Sequence, residues 1–341
     1  MDKKTGVLLI NLGTPDSPSV ADVRSYLSQF LNDPRVIDIP WLWRKILVNL
    51  IIVPFRAPKS AKIYRKLWTA NGSPLLHYGI QVKKLLQEEL GDPYEVHLAM
   101  RYKNPSIPNV MEEMRKKNFA QLIVLPLFPQ YASASTGSVL DEVMRVMRKW
   151  WVIPEVKFIS QYYDHPTFIN TIVERGRLYD LHEFDHVLFS YHGLPERQVD
   201  KVYIEGLCSD HNCENEITSE NKYCYKATCY ATTRLIAEKL GIPKNKYTVC
   251  FQSRLNKKWL KPFSDEVVEV CAKKGMKKIL VFSPAFTADC LETIIEIGEE
   301  YQKIFKANGG HKVQLVESLN DHPLWIQCLK ELVVDKVSGE L

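Results

Sequence analysis

No run of roughly 18 uninterrupted apolar residues occurs in the sequence, which excludes a bilayer-spanning helix of ordinary length. The first residues, Met1–Gly6, pass directly into a short apolar stretch, Val7–Asn11. That stretch lacks the length of a signal-peptide core and any small-residue cleavage site, so export is not expected. Long runs of one charge are missing too. The net charge of +5 is dispersed, which argues against a nucleic-acid partner and fits mild attraction to an anionic ligand or membrane surface. Eight cysteines in a chain expected to be cytoplasmic do not suggest a disulfide framework. Cys250, Cys271, Cys290 and Cys328 stand alone in periodic segments, as small core residues do. The other four crowd into 22 positions, 208–229.

What is present is globular: 45% hydrophobic and 25% charged residues. At 341 residues the chain exceeds what one core usually serves, so two domains are expected. Strand patterns fall at Val7–Asn11, Glu95–Met100, Gln121–Leu127, Val156–Ile159, His186–Tyr191, Tyr247–Phe251, Lys278–Phe282 and Val313–Val316. Helical patterns lie between most of them, at Pro108–Lys117, Ser138–Trp150, Pro166–Leu178, Lys226–Leu240, Asp265–Lys274 and Asp289–Phe305. Strands rich in Val, Ile and Leu alternating with amphipathic helices predict an α/β fold with parallel sheets covered on both faces. An internal repeat divides it. The stretch from Val110 to Val124 matches that from Val267 to Val281 at an offset of 157 residues (267 − 110), and Asp164-His165-Pro166 matches Asp321-His322-Pro323 at the same offset (321 − 164). The two halves therefore have four strands each. The Asp-His-Pro tripeptides read as helix starts, with proline in the first turn. Leu8–Pro15 also aligns with Leu188–Pro195, which makes Leu12 and His192 equivalent strand ends.

Candidate chemistry begins at His192, where an apolar strand stops and Gly193 and Pro195 break the structure. The carboxyl ends of parallel strands are where α/β proteins gather ligands, although a histidine there is more often simply packed. Asp289, Glu292, Glu296 and Glu300 are spaced three, four and four residues apart, a stripe along one helical face if the helix begins at Asp289. Such a stripe is usually solvated. Projecting from the carboxyl edge of a sheet, it suits proton conduction or a hard divalent cation. Four thiols in Cys208-x4-Cys213-x10-Cys224-x4-Cys229 imply a metal or a cluster, although zinc usually prefers tighter Cys-x2-Cys pairs. Cys229 falls within a helical pattern, where it also reads as core. The run 40–56, apolar with aromatic and basic residues at its ends, is too short to span a bilayer and reads either as a buried helix or as a surface for lipid.

Asn11-Leu12-Gly13-Thr14-Pro15, Gly72-Ser73-Pro74-Leu75, Met100-Arg101-Tyr102, Phe128-Pro129-Gln130-Tyr131 with Ser135-Thr136-Gly137-Ser138, Ser190–Pro195, Gln252-Ser253-Arg254 with Trp259-Leu260, and Ala288–Thr293 together form an ordered set. That set resembles ferrochelatase, the family that inserts ferrous iron into a porphyrin, over about residues 6–330. The resemblance implies two similar Rossmann-like domains of a chelatase-like fold. The first would run over 1–162, with a porphyrin lip at about 36–75, completed by a C-terminal helix at 321–341. The second would run over 163–320, with a cysteine-rich insert at 201–229.

The resemblance also implies roles. His192 would take the pyrrole protons, with Glu292 as its acidic partner and the two together as the site for the substrate iron; Asp289 and Glu296 would extend a line that moves protons or iron. A neutral imidazole suits that work near pH 7. Leu12, Arg101, Tyr131, Ser138 and Trp259 match positions lining the porphyrin, and Arg101 would pair with a propionate. Leu12 is apolar where relatives acting on coproporphyrin tend to carry tyrosine, which favours protoporphyrin IX. Cys208, Cys213, Cys224 and Cys229 look like the ligands of an internal-segment [2Fe–2S] cluster. They depart from the animal pattern, in which a cysteine tail is joined by an internal cysteine where Ser133 stands here. The lip at 40–56 would rest on a membrane, and the protein would be cytoplasmic or membrane-peripheral. A coproporphyrin or sirohydrochlorin chelatase of the same fold, or a non-enzymatic tetrapyrrole-binding protein, are the alternatives.

Overall fold

The computed structural model describes residues 4–339; the ends of the expected 1–162 and 321–341 segments, residues 1–3 and 340–341, lie outside them. Among the described residues eight strands form: β1 (Thr5–Gly13), β2 (Tyr94–Tyr102), β3 (Gln121–Pro126), β4 (Glu155–Phe158), β5 (His186–His192), β6 (Tyr247–Gln252), β7 (Lys278–Phe282) and β8 (Lys312–Leu315). They make two four-stranded sheets, ordered β2-β1-β3-β4 and β6-β5-β7-β8, and every pairing is parallel. The two orders are the same, as the internal repeat requires. Helices flank both sheets, so the central strands bury both faces. Val7, Leu9 and Ile10 of β1 and Leu188 and Phe189 of β5 are wholly enclosed.

The chain divides into two compact units. One comprises Met1–Phe128, Ser133–Gln161 and Ile326–Leu341; the other comprises Pro129–Ala132 and Tyr162–Trp325. In the first, one face of β1 and β3 packs Leu8, Ile10 and Val124 against Val110, Met111, Val139 and Val143 of two covering helices. In the second, Leu188, Ile279 and Val281 meet Val268, Ile297 and Phe305 in the corresponding way. Both Asp-His-Pro tripeptides open helices at their prolines, Pro166–Arg177 and Pro323–Ser338.

Some elements differ from expectation. The helix expected over Ser138–Trp150 ends at Met147 and is preceded by a wide π-type turn, Ser133–Gly137. The helix expected over Asp289–Phe305 is π-helical from Leu291 to Tyr301 and becomes α-helical only at Gln302–Ala307. Residues 41–67 form one rod in which Trp41–Ile46 and Val53–Leu67 are α-helical and Leu47–Ile52 is π-helical. That rod is not a buried helix: Trp41, Trp43, Leu50 and Phe55 are each at least 64% exposed. Arg44, by contrast, turns inward and donates to the carbonyls of Ile37 and Ile39.

β1 ends at Gly13, whose φ of +113° lies in the region that favours glycine. A Cβ there would stand 2.0 Å from the Tyr102 carbonyl oxygen of β2, and two hydrogen-bonded strands cannot part to admit it. Gly13→Ala is therefore expected to cost about 2–4 kcal/mol of stability, read as a lower urea midpoint with an unchanged slope.

Candidate active site and a buried thiol cluster

The second sheet gathers the candidate catalytic groups at its carboxyl edge. β5 ends on His192, and its register partner on β6 is Gln252. His192 is half-buried, and its Nδ1 lies 2.7 Å from the Gly193 carbonyl oxygen. A carbonyl only accepts, so Nδ1 carries the hydrogen and the lone pair sits on Nε2. The Phe286 ring faces the imidazole with centroids 6.4 Å apart. Gly193 donates its N–H to the Gln252 carbonyl at 2.8 Å. A Cβ on Gly193 would approach that oxygen to 2.7 Å and the Trp259 ring to 3.2 Å, so glycine lets Trp259 lie against the His192 loop.

Gln252 links these strand ends to the π-helix. Its Oε1 accepts from the Ser190 hydroxyl at 2.8 Å, while its Nε2 donates to the Glu292 carbonyl at 3.0 Å and to the Glu296 carboxylate at 3.1 Å. Glu296 also accepts from the Ser253 N–H at 2.8 Å, the Ser253 hydroxyl at 2.6 Å and the Tyr301 hydroxyl at 3.2 Å. Ser253 reaches it with both groups because its φ is +60°, an unfavourable region for serine. Burial is the largest influence on Glu296 and raises its pKa above the ordinary 4.5. The Ser253 hydrogen bond and the nearby His192 oppose the rise, and Glu292 adds to it.

The four-carboxylate stripe does not form. Asp289 precedes the helix, which starts at Leu291 after an extended Cys290. Its carboxylate accepts from Asn320 Nδ2 at 2.8 Å and from the Ser318 N–H at 3.3 Å, and its own N–H donates to Asn320 Oδ1 at 2.9 Å. Asp289 thus ties two loops together instead of facing along a helix. A π-helix turns more widely than 3.6 residues, so a four-residue spacing no longer marks one straight line. Glu296 turns inward, Glu292 is half-buried and Glu300 is exposed.

In the first unit Arg101 is already engaged. Its Nη2 lies 2.6 Å from Asp33 Oδ2, and its Nε donates to the Ser138 hydroxyl at 2.7 Å. The same Asp33 oxygen accepts from Ser138 at 2.5 Å and from Tyr102 at 2.9 Å. Asp33 is 5% exposed, so this is a buried knot in which Asp33 is the counter-ion of Arg101. Ser138, wholly enclosed, is a member of the same knot. Leu12 is half-buried at the end of β1, and its N–H is held by the Asn11 side chain at 2.8 Å. Tyr131 belongs to the second unit and packs edge-on against Tyr223, with centroids 5.7 Å apart.

The cysteine-rich segment brings three of its four thiols together. The Sγ atoms of Cys208 and Cys224 are 3.6 Å apart, and Cys213 lies 3.9 Å from each; all three are buried. The Tyr203 hydroxyl lies 3.0 Å from Cys213 Sγ. Hydrogen bonds with the Cys208 and Cys224 thiols, helped by Tyr203 and Asn221, lower the Cys213 pKa below the ordinary thiol range. Such a set of soft donors fits a thiolate-bound metal. Cys229 stays out of it: among the described residues the group that could hold an ion is Cys208, Cys213 and Cys224. It is enclosed within the helix Tyr225–Leu240, its thiol bonded to the Tyr225 side chain. Three of the four cysteines expected to hold a [2Fe–2S] cluster thus lie together, and Cys229 lies outside that group.

The sequence profile described as Ferrochelatase matches residues 4–337. Ferrochelatase of Coxiella burnetii (strain Dugway 5J108-111) is 45% identical over 338 residues, covering 97% of this chain and 93% of that protein. Ferrochelatase of Legionella pneumophila (strain Paris) is 42% identical over 335 residues, covering 98% of this chain and 100% of that protein. Among solved structures, SirB from Bacillus subtilis with Fe3+ superposes with a TM-score of 0.57 at 12% identity, covering 99% of this chain and 97% of that one. The sirohydrochlorin chelatase SirB from Bacillus subtilis subspecies spizizenii in complex with cobalt gives 0.52 at 11% identity, covering 98% and 96%. The two structures establish the likeness of fold.

Because the folded chain raises the Glu296 pKa, it holds that proton more tightly than the unfolded chain does. The stability this supplies is complete below pH 4.5 and is lost as pH rises through the raised value. Wild type is therefore expected to lose melting temperature relative to Glu296→Gln on going from pH 4.5 toward neutrality. Parallel curves would contradict the assignment.

Proposed function

The chain belongs to the ferrochelatase family, which inserts iron into a porphyrin in haem biosynthesis, and from that premise we propose that its porphyrin is protoporphyrin IX and that His192 is the base. Insertion replaces two pyrrole N–H protons by one ferrous ion, so the enzyme must accept two protons while the metal enters. The observation that carries the reading is the His192 imidazole. Its Nδ1 hydrogen is fixed on the Gly193 carbonyl, which leaves Nε2 as an acceptor at the carboxyl edge of a parallel sheet. Glu296, with its raised pKa and proximity to His192, is the group to which the first proton passes; Glu292, one step along the helix, is the carboxylate for the incoming iron. Trp259, against the His192 loop, is read as an aromatic wall for the macrocycle. Leu12 and Tyr131 are read as porphyrin contacts, and the apolar Leu12 supports protoporphyrin over a more carboxylated substrate.

The cysteine-rich insert is read as the seat of a resident metal centre held by Cys208, Cys213 and Cys224, supported by three buried thiols within 3.9 Å. When bound, such a centre supplies a cross-link between distant parts of the insert, and no proton step passes through it. The spacing of the four cysteines supports a [2Fe–2S] cluster; the packing of three of them supports a single ion.

Among the described residues no helix is long and apolar enough to cross a membrane. The exposed Trp41, Trp43, Leu50 and Phe55 support a different association, in which the 40–56 face of a cytoplasmic protein rests on lipid, the source of an insoluble substrate.

Anaerobic assay of ferrous iron with protoporphyrin IX, coproporphyrin and sirohydrochlorin tests the substrate: protohaem should form fastest, and preference for either other macrocycle would overturn the reading. His192→Ala should lower kcat by roughly 10²–10⁴ while porphyrin binding, followed by absorbance titration, persists. Trp43→Glu with Phe55→Glu should reduce sedimentation with anionic phospholipid vesicles by at least about tenfold and leave iron insertion from detergent-dispersed porphyrin unchanged.

A further inference from the structure

The insert between the short helix Glu196–Asp200 and the helix Tyr225–Leu240 has no apolar interior of its own. Ile204 is fully exposed and Leu207 is 52% exposed. What holds the segment are polar bonds to the main chain: Asp200 receives the Cys208 N–H at 2.9 Å, and Asn221 receives the Thr218 N–H at 2.7 Å while donating to the Glu216 carbonyl at 3.1 Å. At the centre of this frame, where a small domain would carry its core, stand the three thiols. A segment of this kind is usually completed by a metal, whose binding free energy is its folding free energy.

The sulfur spacing decides how many metals. A tetrahedral ion about 2.3 Å from each thiolate sets neighbouring sulfurs about 3.8 Å apart. The observed separations are 3.6, 3.9 and 3.9 Å, which match three edges of one tetrahedron with the thiols at its corners. A two-iron cluster divides its four cysteines two to each iron, which puts sulfurs of different irons farther apart than one tetrahedral edge. Three mutually close thiols do not fit that division. The fourth cysteine, Cys229, is outside that compact group and is buried in its helix beside Tyr225 and Tyr191.

Resting on the reading of the insert as a metal centre, we infer that Cys208, Cys213 and Cys224 hold one zinc ion, with a donor other than cysteine in the fourth position and Cys229 uninvolved. Zinc is the tetrahedral thiolate-bound ion that needs neither sulfide nor a redox partner. Its role is to fold the insert and, through Cys224 at the start of the helix Tyr225–Leu240, to anchor the first turn of that helix. The helix is bound in turn to the strand of the catalytic histidine, by a 2.8 Å hydrogen bond between Thr233 and Tyr191.

The test is metal and acid-labile sulfide analysis of the full-length protein purified anaerobically, beside its Cys229→Ser and Cys224→Ser forms. About one zinc per chain and no labile sulfide are expected, unchanged in Cys229→Ser and lost in Cys224→Ser. Cobalt(II) in place of zinc should give the intense visible bands of a tetrahedral thiolate site, and chelation should open residues 201–224 to protease in the wild-type protein. The stoichiometry and the protease readout stand on the wild type, so they decide the matter even if Cys224→Ser does not fold. About two irons and two sulfides per chain, loss of metal in Cys229→Ser, or a wild type that takes up no zinc would each overturn the inference. Haem formation by the same preparations reports separately on the enzyme, so a chain that inserts iron but holds no zinc sinks this inference alone.

Discussion

The candidate active site hangs on one carboxamide. Gln252 is paired with His192 across two parallel strands, accepts from the hydroxyl of Ser190, and donates to the Glu292 carbonyl and the Glu296 carboxylate. A strand edge and a helix are thereby fixed to each other by a group with no charge of its own. Its amide offers one acceptor and two donors, and all three are used. A glutamate here would confront Glu296 with a like charge, and an apolar residue would leave the Ser190 side and the Glu296 side without a common partner. The sheet register places Gln252 beside His192, and Gln252 together with Ser253 and Tyr301 fixes Glu296.

Much of the fold was legible. Eight apolar runs gave the eight strands, and the offset of 157 between Val110 and Val267 anticipated two sheets of the same order, because strand and helix periods survive in a single sequence when both faces of a sheet are covered. The site was legible only where chemistry coincides with a structural break. His192 announced itself because a strand stops there. Gln252 and Ser253 were visible as members of a motif, but their work was hidden, since it depends on the left-handed backbone of Ser253 and on a helix met forty residues later. The carboxylate stripe misled because spacings of three and four assume 3.6 residues per turn, and nothing in Leu291–Tyr301 declares a wider helix. Asp33 went unnoticed for a related reason: its partner Ser138 lies 105 residues away.

The first unit shows the opposite use of charge. Arg101 and Asp33 satisfy each other, with Ser138 and Tyr102 occupying the same carboxylate oxygen. Breaking a buried pair leaves an uncompensated ion, which costs far more than the pair contributes. The knot therefore reads as a rigid support behind the end of β2. In the second unit, Glu296 is left with a raised pKa and one helix turn from another carboxylate. One half of a duplicated fold has spent an ion pair on rigidity; the other keeps a buried carboxylate, Glu296, with its pKa raised.

The cysteine-rich insert leaves the chain after the short helix Glu196–Asp200 and rejoins it at Cys224, directly at the first turn of a helix that covers the second sheet. It interrupts no strand and shifts no register. In chain-entropy terms, closing a loop grows more costly only as the logarithm of its length, so a crossover can lengthen by two dozen residues at an expense of order 1 kcal/mol. The length of such a loop can thus change while the sheet, the histidine and the carboxylates stay where they are, so the insert is a separable module of the second unit.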